Sequence, residues 1–147
     1  MTNAILLSII SIAVVGVVVL RYGRDRRVKS IGWVQALMIV GLIPLGLQGL
    51  VLALFGFAEM ASGVLSGVQH LVPLAATVLL AFLAWKRPIE GGVALLIVGL
   101  TTLAAWYDWG AMAKMIMAAP QLVSGGLFLA GGLAAWVISR RKQDRGN

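Results

Sequence analysis

The stretch "VQALMIVGLIPLGLQGLVLALFGF", residues 34–57, runs for 24 residues without a charged side chain. An α-helix crosses the hydrocarbon layer of a bilayer, about 30 Å thick, with about 20 apolar residues. The backbone of such a stretch must be helical, because lipid offers no hydrogen-bond partner to an unpaired peptide group. The stretch therefore predicts a transmembrane helix, and it sets the fold class of the chain.

Similar apolar stretches recur along the whole sequence. Of the 147 residues, 61% are hydrophobic and only 12% are charged, whereas soluble domains carry roughly 25% charged residues. We expect an all-α, polytopic integral membrane bundle that forms one transmembrane domain over residues 1–147. Short connections between the apolar stretches predict antiparallel neighbours. The five predicted transmembrane helices cover residues 4–20, 31–57, 64–85, 91–106 and 115–138.

The distribution of Lys and Arg predicts the orientation of these spans. Of the 12 basic residues, 11 fall in alternate connections, and only Lys114 lies on the opposite side. By the positive-inside rule the N-terminus lies outside and the C-terminus in the cytoplasm, and the predicted location is the cell inner (cytoplasmic) membrane. The 11 residues are Arg21, Arg24, Arg26, Arg27, Lys29, Lys86, Arg87, Arg140, Arg141, Lys142 and Arg145.

The same bias decides which partners the net charge of +7 indicates. Insertion alone requires basic cytoplasmic connections, so the charge does not indicate a nucleic-acid partner. We expect contact with anionic lipid headgroups on the cytoplasmic side, where each Lys or Arg contributes about 1 kcal/mol. Tryptophans favour the headgroup level, and Trp33, Trp85 and Trp136 mark the predicted inner boundary.

Two rows of small residues predict helix packing. Small side chains let two helix backbones approach closely, which in lipid replaces the missing hydrophobic attraction between helices. We expect both rows to be buried against other helices, of this chain or of another. The first row comprises Gly46, Gly49, Ala53 and Gly56 in the second span, and the other comprises Gly126, Ala130 and Ala134 in the fifth.

The central portion of every predicted span lacks Asp, Glu, Lys and Arg, which argues against a coupled ion transporter. The polar side chains of interest lie in the outer half, and Pro44, Pro73 and Pro120 accompany three of them. One interpretation is that they satisfy carbonyl groups freed at proline kinks. The other is a polar pocket that opens to the outside. The residues of this hypothetical pocket are Gln48, Gln69, His70 and Gln121.

His70 is the single histidine of the chain, and it can meet Glu59 or Asp108 from the outer connections. Its pairing with Ser66 one turn earlier lacks the second element and the oxyanion hole that a hydrolase requires, so we predict no catalytic residues. The chain has no cysteine, and Met112, Met115 and Met117 do not share one helical face. We therefore predict no metal site.

Three functions stay open at this point. The leading prediction is a non-catalytic membrane subunit that packs against a larger membrane protein complex and stabilises or positions it, with other membrane subunits or further copies of the chain as partners. An alternative is a small oligomeric channel or facilitator for a neutral solute. A second alternative is a redox or photosynthetic component that binds a quinone, a haem or a pigment through His70, since such a ligand needs only one imidazole and an apolar wall.

Overall fold

The computed structural model describes residues 32–63, 68–105 and 110–144. These ranges contain four α-helices and no strand: α1 (Gly32–Ala61), α2 (Val68–Lys86), α3 (Pro88–Ala105) and α4 (Ala111–Asp144). The predicted all-α fold is confirmed for this part of the chain. The predicted span at residues 4–20 lies outside the described residues.

Three of the described helices are long and apolar enough to cross a membrane: Gly32–Ala61, Pro88–Ala105 and the part of α4 over Ala111–Arg141. The apolar part of α2, His70–Lys86, is shorter. The helix α4 extends beyond the predicted span 115–138 at both ends. Its 34 residues correspond to a length of about 51 Å, which exceeds the thickness of the hydrocarbon layer.

The four helices form an antiparallel up-and-down bundle in which α1 and α4 also pack together and close the ring. Along α1, Gly49 lies beside Leu74 of α2, and Gly41 lies beside Phe128 of α4. In contrast, α2 and α4 lie diagonally and touch little. Each helix contributes to one buried cluster, whose members include Leu45, Leu80, Leu95 and Phe128.

The connection between α2 and α3 is a single residue, Arg87. The Arg87 N–H donates to the Leu83 carbonyl at 2.7 Å, and the Gly91 N–H donates to the Arg87 carbonyl at 2.8 Å. A side chain on Gly91 would overlap the backbone of Ala84, so a residue without Cβ is required at this position. Proline suits the first position of a helix, because the N–H it lacks has no partner there, and Pro88 begins α3.

The helices α3 and α4 pack closely along their length through glycines on both sides. A methyl group at Gly92 would lie 2.6 Å from the Leu129 nitrogen and 2.9 Å from the Gly125 carbonyl oxygen. A methyl group at Gly132 would lie 2.9 Å from the Ile89 nitrogen. The absence of side chains therefore allows backbone-to-backbone packing, as small residues do between transmembrane helices.

The two ends of the bundle differ in charge. We call the end where α2 stops, α3 starts and α4 stops the basic end; its Lys and Arg residues are Lys86, Arg87, Arg140, Arg141 and Lys142. The opposite end, where α1 stops and α4 starts, is called the histidine end. Of the Lys and Arg in the described ranges, only Lys114 lies at the histidine end.

Candidate functional site

Polar side chains from three helices are buried inside the bundle: Gln48 of α1, Thr77 of α2, and Gln121 and Ser124 of α4. Gln48 exposes 3% of its surface, and Ser124 exposes none. Gly49 lies beside Leu74, and Gln48 bonds to Met117. These two contacts place the four buried polar side chains at similar heights along the bundle. We call these four residues the polar layer.

Two members of the polar layer bond to carbonyl groups close to prolines. The side-chain amide of Gln48 donates to the Met117 carbonyl at 2.8 Å, three residues before Pro120. The Thr77 hydroxyl donates to the Pro73 carbonyl at 2.8 Å. Proline loosens the helical turn that precedes it, and neighbouring side chains can satisfy the exposed carbonyls. The Gln48 bond lies in the turn that Pro120 loosens and agrees with the interpretation that polar residues satisfy carbonyls at proline kinks. The Thr77 bond is an ordinary bond of a helical threonine to the carbonyl four residues earlier, because the carbonyl that Pro73 leaves without its donor is that of Gln69.

Other atoms of the polar layer have no hydrogen-bond partner within the described structure. These atoms are the side-chain carbonyl oxygens of Gln48 and Gln121 and the hydroxyl oxygen of Ser124. An unpaired buried polar group costs about 1–3 kcal/mol. The bundle interior thus holds unused hydrogen-bonding capacity at this height, although its remaining core is apolar.

A groove of about 370 Å³ runs along the outer surface between α1 and α4, beside the polar layer. Gln48 is its one polar lining residue, while His70 and Gln121 do not line it. The polar surface of Gln48 is turned away from the groove, because its amide bonds to Met117 and its oxygen is buried. The complete lining comprises Pro44, Leu47, Gln48, Val51, Met115, Ile116, Ala119, Pro120 and Val123.

His70 lies at the histidine end, where its Nε2 is 3.3 Å from the Glu59 carboxylate. Its ring centroid is 6.1 Å from that of Phe55. The predicted meeting of His70 with Glu59 is therefore observed, whereas Ser66 and Asp108 lie outside the described residues. Both side chains of the pair are about one third exposed, so water and other molecules reach the imidazole. The cofactor alternative at His70 stays a prediction.

In the structure, the described residues of the hypothetical pocket do not line one common pocket. Gln48 lies between the groove and the interior, Gln121 is buried, and His70 pairs with Glu59. Gln69 belongs to the first turn of α2, but its side chain lies outside the described part. Within the described ranges, no three or more His, Asp or Glu residues come together as metal ligands.

The predicted packing rows have mixed surroundings. In the first row, Gly56 is buried, Gly49 contacts Leu74, Ala53 is half-buried and Gly46 is exposed. In the second row, Gly126 and Ala130 are exposed and Ala134 is half-buried. No atom lies within 4 Å of a methyl group placed on Gly46 or Gly126. For the second row, the expected neighbour is therefore not among the described helices.

Sequence reasoning missed the glycines that bring α3 and α4 close together. Gly92 and Gly99 are seven residues apart on α3, and Gly125 and Gly132 are seven residues apart on α4. A spacing of seven keeps two residues on one face of a helix. Two such pairs on consecutive antiparallel spans were the available signal for this contact.

Residues 24–145 match DUF7670, a domain of unknown function, and the chain belongs to this family. No curated protein and no solved structure shows significant similarity to the chain. The family match begins after residues 4–20 and includes all four described helices.

Proposed function

We propose that this protein is a non-catalytic integral membrane subunit whose α4 packs against a helix of a larger membrane protein complex or of another copy of the chain. The observation that carries the proposal is the exposed position of Gly126 and Ala130 on a long apolar helix. Small residues at a four-residue spacing are typical of helix–helix interfaces in lipid.

The outer faces of α1 and α4 differ in a way that supports this assignment. The outer face of α1 carries large side chains, among them Ile43, Leu50 and Leu54, each more than half exposed, and Gly46 is a single exposed glycine between them. Such a surface suits contact with lipid tails. On α4, Gly126 and Ala130 interrupt the large residues and leave a shallow strip where another helix can approach closely.

For topology, we propose five transmembrane spans in the cell inner membrane, with the N-terminus outside and the C-terminus cytoplasmic. The antiparallel bundle supports this, since it brings five of the six described Lys and Arg residues to the basic end. The short helix α2 counts as a span in this proposal. It is joined to α3 by one residue and runs back along it, so it enters the bilayer if α3 does.

The subunit proposal is tested by native mass after extraction in a mild detergent. We expect the wild-type chain to co-migrate with a larger complex, and Gly126→Leu to release it as a smaller species. The matched control is Ala75→Leu, which enlarges an exposed small residue on α2 outside both predicted rows. A wild-type chain that migrates as a single copy contradicts the proposal.

The polar layer favours a second candidate, a small oligomeric facilitator for a neutral solute. Pores can be lined by neutral hydrogen-bonding groups, and Gln48, Gln121 and Ser124 carry unpaired polar atoms. Flux through liposomes that contain only this protein tests this function. Flux that the double variant Gln48→Leu, Gln121→Leu abolishes supports the facilitator, and the absence of wild-type flux rejects it.

A further inference from the structure

Two aromatic–cation pairs of the same spacing lie at the basic end. The Arg140 guanidinium carbon is 4.2 Å from the ring centroid of Trp136, and the Lys86 ammonium is 5.7 Å from that of Phe82. In both pairs the cation follows the aromatic residue by four positions. Helical side chains lean toward the N-terminus, so each cation folds back over the ring one turn earlier.

The Trp136–Arg140 pair lies where α4 leaves the bundle. Ala135 is still part of the buried core, whereas Arg140 and Arg141 are exposed. Residues 139–144 add about 9 Å of helix. The headgroup region on each side of a bilayer is about 5–8 Å thick, the difference between the full and the hydrocarbon thickness divided by two. The end of α4 therefore has the length needed to cross the headgroup layer.

The charges at this site are available for an anionic ligand. Within the part of the chain that the structure describes, neither Arg140 nor Arg141 forms an ion pair with a carboxylate. Among the described residues, the acidic ones at the basic end are Glu90 and Asp144, and both are exposed. A guanidinium can bind phosphate through two parallel hydrogen bonds, and it can stack on an aromatic face at the same time.

We propose that Arg140, held over Trp136, and the adjacent Arg141 bind the phosphate of an anionic phospholipid headgroup. The stacked ring fixes the guanidinium at the membrane boundary. Lys86 over Phe82 provides a weaker contact of the same kind on the diagonal helix α2. The assignment rests on the proposed membrane location of the basic end.

Native mass spectrometry of the full chain, titrated with phosphatidylglycerol or phosphatidylcholine of identical acyl chains, tests this site. We expect the wild type to prefer phosphatidylglycerol. Arg140→Gln should weaken phosphatidylglycerol binding about five-fold, the equivalent of about 1 kcal/mol per headgroup contact. It should weaken phosphatidylcholine binding less, because the choline ammonium of that lipid offsets the charge of its phosphate. Arg140→Lys keeps the charge but loses part of the stacking, and it should weaken binding roughly two-fold.

The matched control is Lys114→Gln, which removes one positive charge at the histidine end. Equal losses in Arg140→Gln and Lys114→Gln would show a general charge effect and overturn the site, as would equal binding of the two lipids. Displacement of the lipid by millimolar inorganic phosphate would identify a site for the free anion and overturn the lipid assignment. The Arg140→Lys variant keeps the test valid if Arg140→Gln does not fold.

A separate measurement distinguishes this site from the proposed topology. The chain has no cysteine, so Gln143→Cys introduces a single thiol next to the site. Labelling from the cytoplasmic side supports the proposed orientation. Labelling only from outside would contradict the topology, while a lipid preference that depends on Arg140 would still support the headgroup site.

Discussion

The helix α4 packs against α3 and against α1, and the two contacts differ in how close and how polar they are. Against α3 it packs through Gly92, Gly125 and Gly132, with backbone atoms almost touching. Against α1 it packs around Pro44 and Pro120, with Gln48 in between and a groove alongside. The first contact is close and apolar, and the second is open and partly polar. The α3–α4 contact therefore has no space for added side-chain atoms at its glycines, whereas space remains beside the α1–α4 contact.

The largest effect is expected from a substitution that disrupts the close contact between α3 and α4. Gly92→Ala places a methyl group 2.6 Å from a backbone nitrogen of α4, and backbone atoms cannot move aside as a flexible side chain can. We expect a loss of about 1–3 kcal/mol in the free energy of unfolding, measured by unfolding in detergent micelles.

The control for this substitution is Gly46→Ala on α1. No atom lies within 4 Å of a methyl group there, and alanine favours a helix over glycine by up to about 1 kcal/mol. Gly46→Ala should therefore retain or raise stability. A comparable loss of stability in both variants would show that the loss in Gly92→Ala does not come from the close contact between α3 and α4.

The next largest effect on stability is expected in the partly polar contact between α1 and α4. Gln48→Leu removes the bond to the Met117 carbonyl, and interhelical hydrogen bonds in membranes contribute about 0.6 kcal/mol on average. The same substitution removes the unpaired Gln48 oxygen, which offsets part of this loss, so the free energy of unfolding should fall by less than that amount. The same unfolding measurement applies.

Gln121→Leu is the corresponding substitution on α4. We expect it to leave the free energy of unfolding unchanged or to raise it. The side-chain oxygen of Gln121 is buried without a partner in the described structure, and replacing such a group by an apolar one of similar size is neutral or stabilising. A clear loss of stability in Gln121→Leu would show that its amide has a partner in the folded protein.

The smallest expected effect lies at the histidine end. The His70–Glu59 pair is 3.3 Å apart and about one third exposed, and exposed pairs contribute about 0–1 kcal/mol. His70→Gln should therefore change stability by less than about 1 kcal/mol. A larger loss would assign His70 a structural role that its exposure does not indicate.

The helices could be predicted from the sequence, because membrane insertion depends on local hydropathy summed over each segment. This is why 31–57 and 91–106 lie close to the observed α1 and α3. The contact of His70 with Glu59 was one of the two that the sequence indicated, since these residues flank a short connection.

The face that each residue presents could not be predicted in the same way. Gly125 and Gly126 are adjacent, yet the first packs against Leu96 of α3 and the second is exposed. One residue rotates the side-chain direction by about 100° on a helix, and the choice between the two faces depends on how the neighbouring helix docks. The burial of Ser124 and Thr77 depends on the same docking.

The single-residue turn at Arg87 has a consequence for how the chain enters the membrane. A connection this short leaves no room for additional chain between the two helices in the folded bundle. With the proposed topology, we expect α2 and α3 to enter the bilayer together as one helical hairpin. An affinity tag or a reporter domain inserted between Lys86 and Pro88 should therefore block biogenesis, whereas the same insertion after Asp144 should be tolerated.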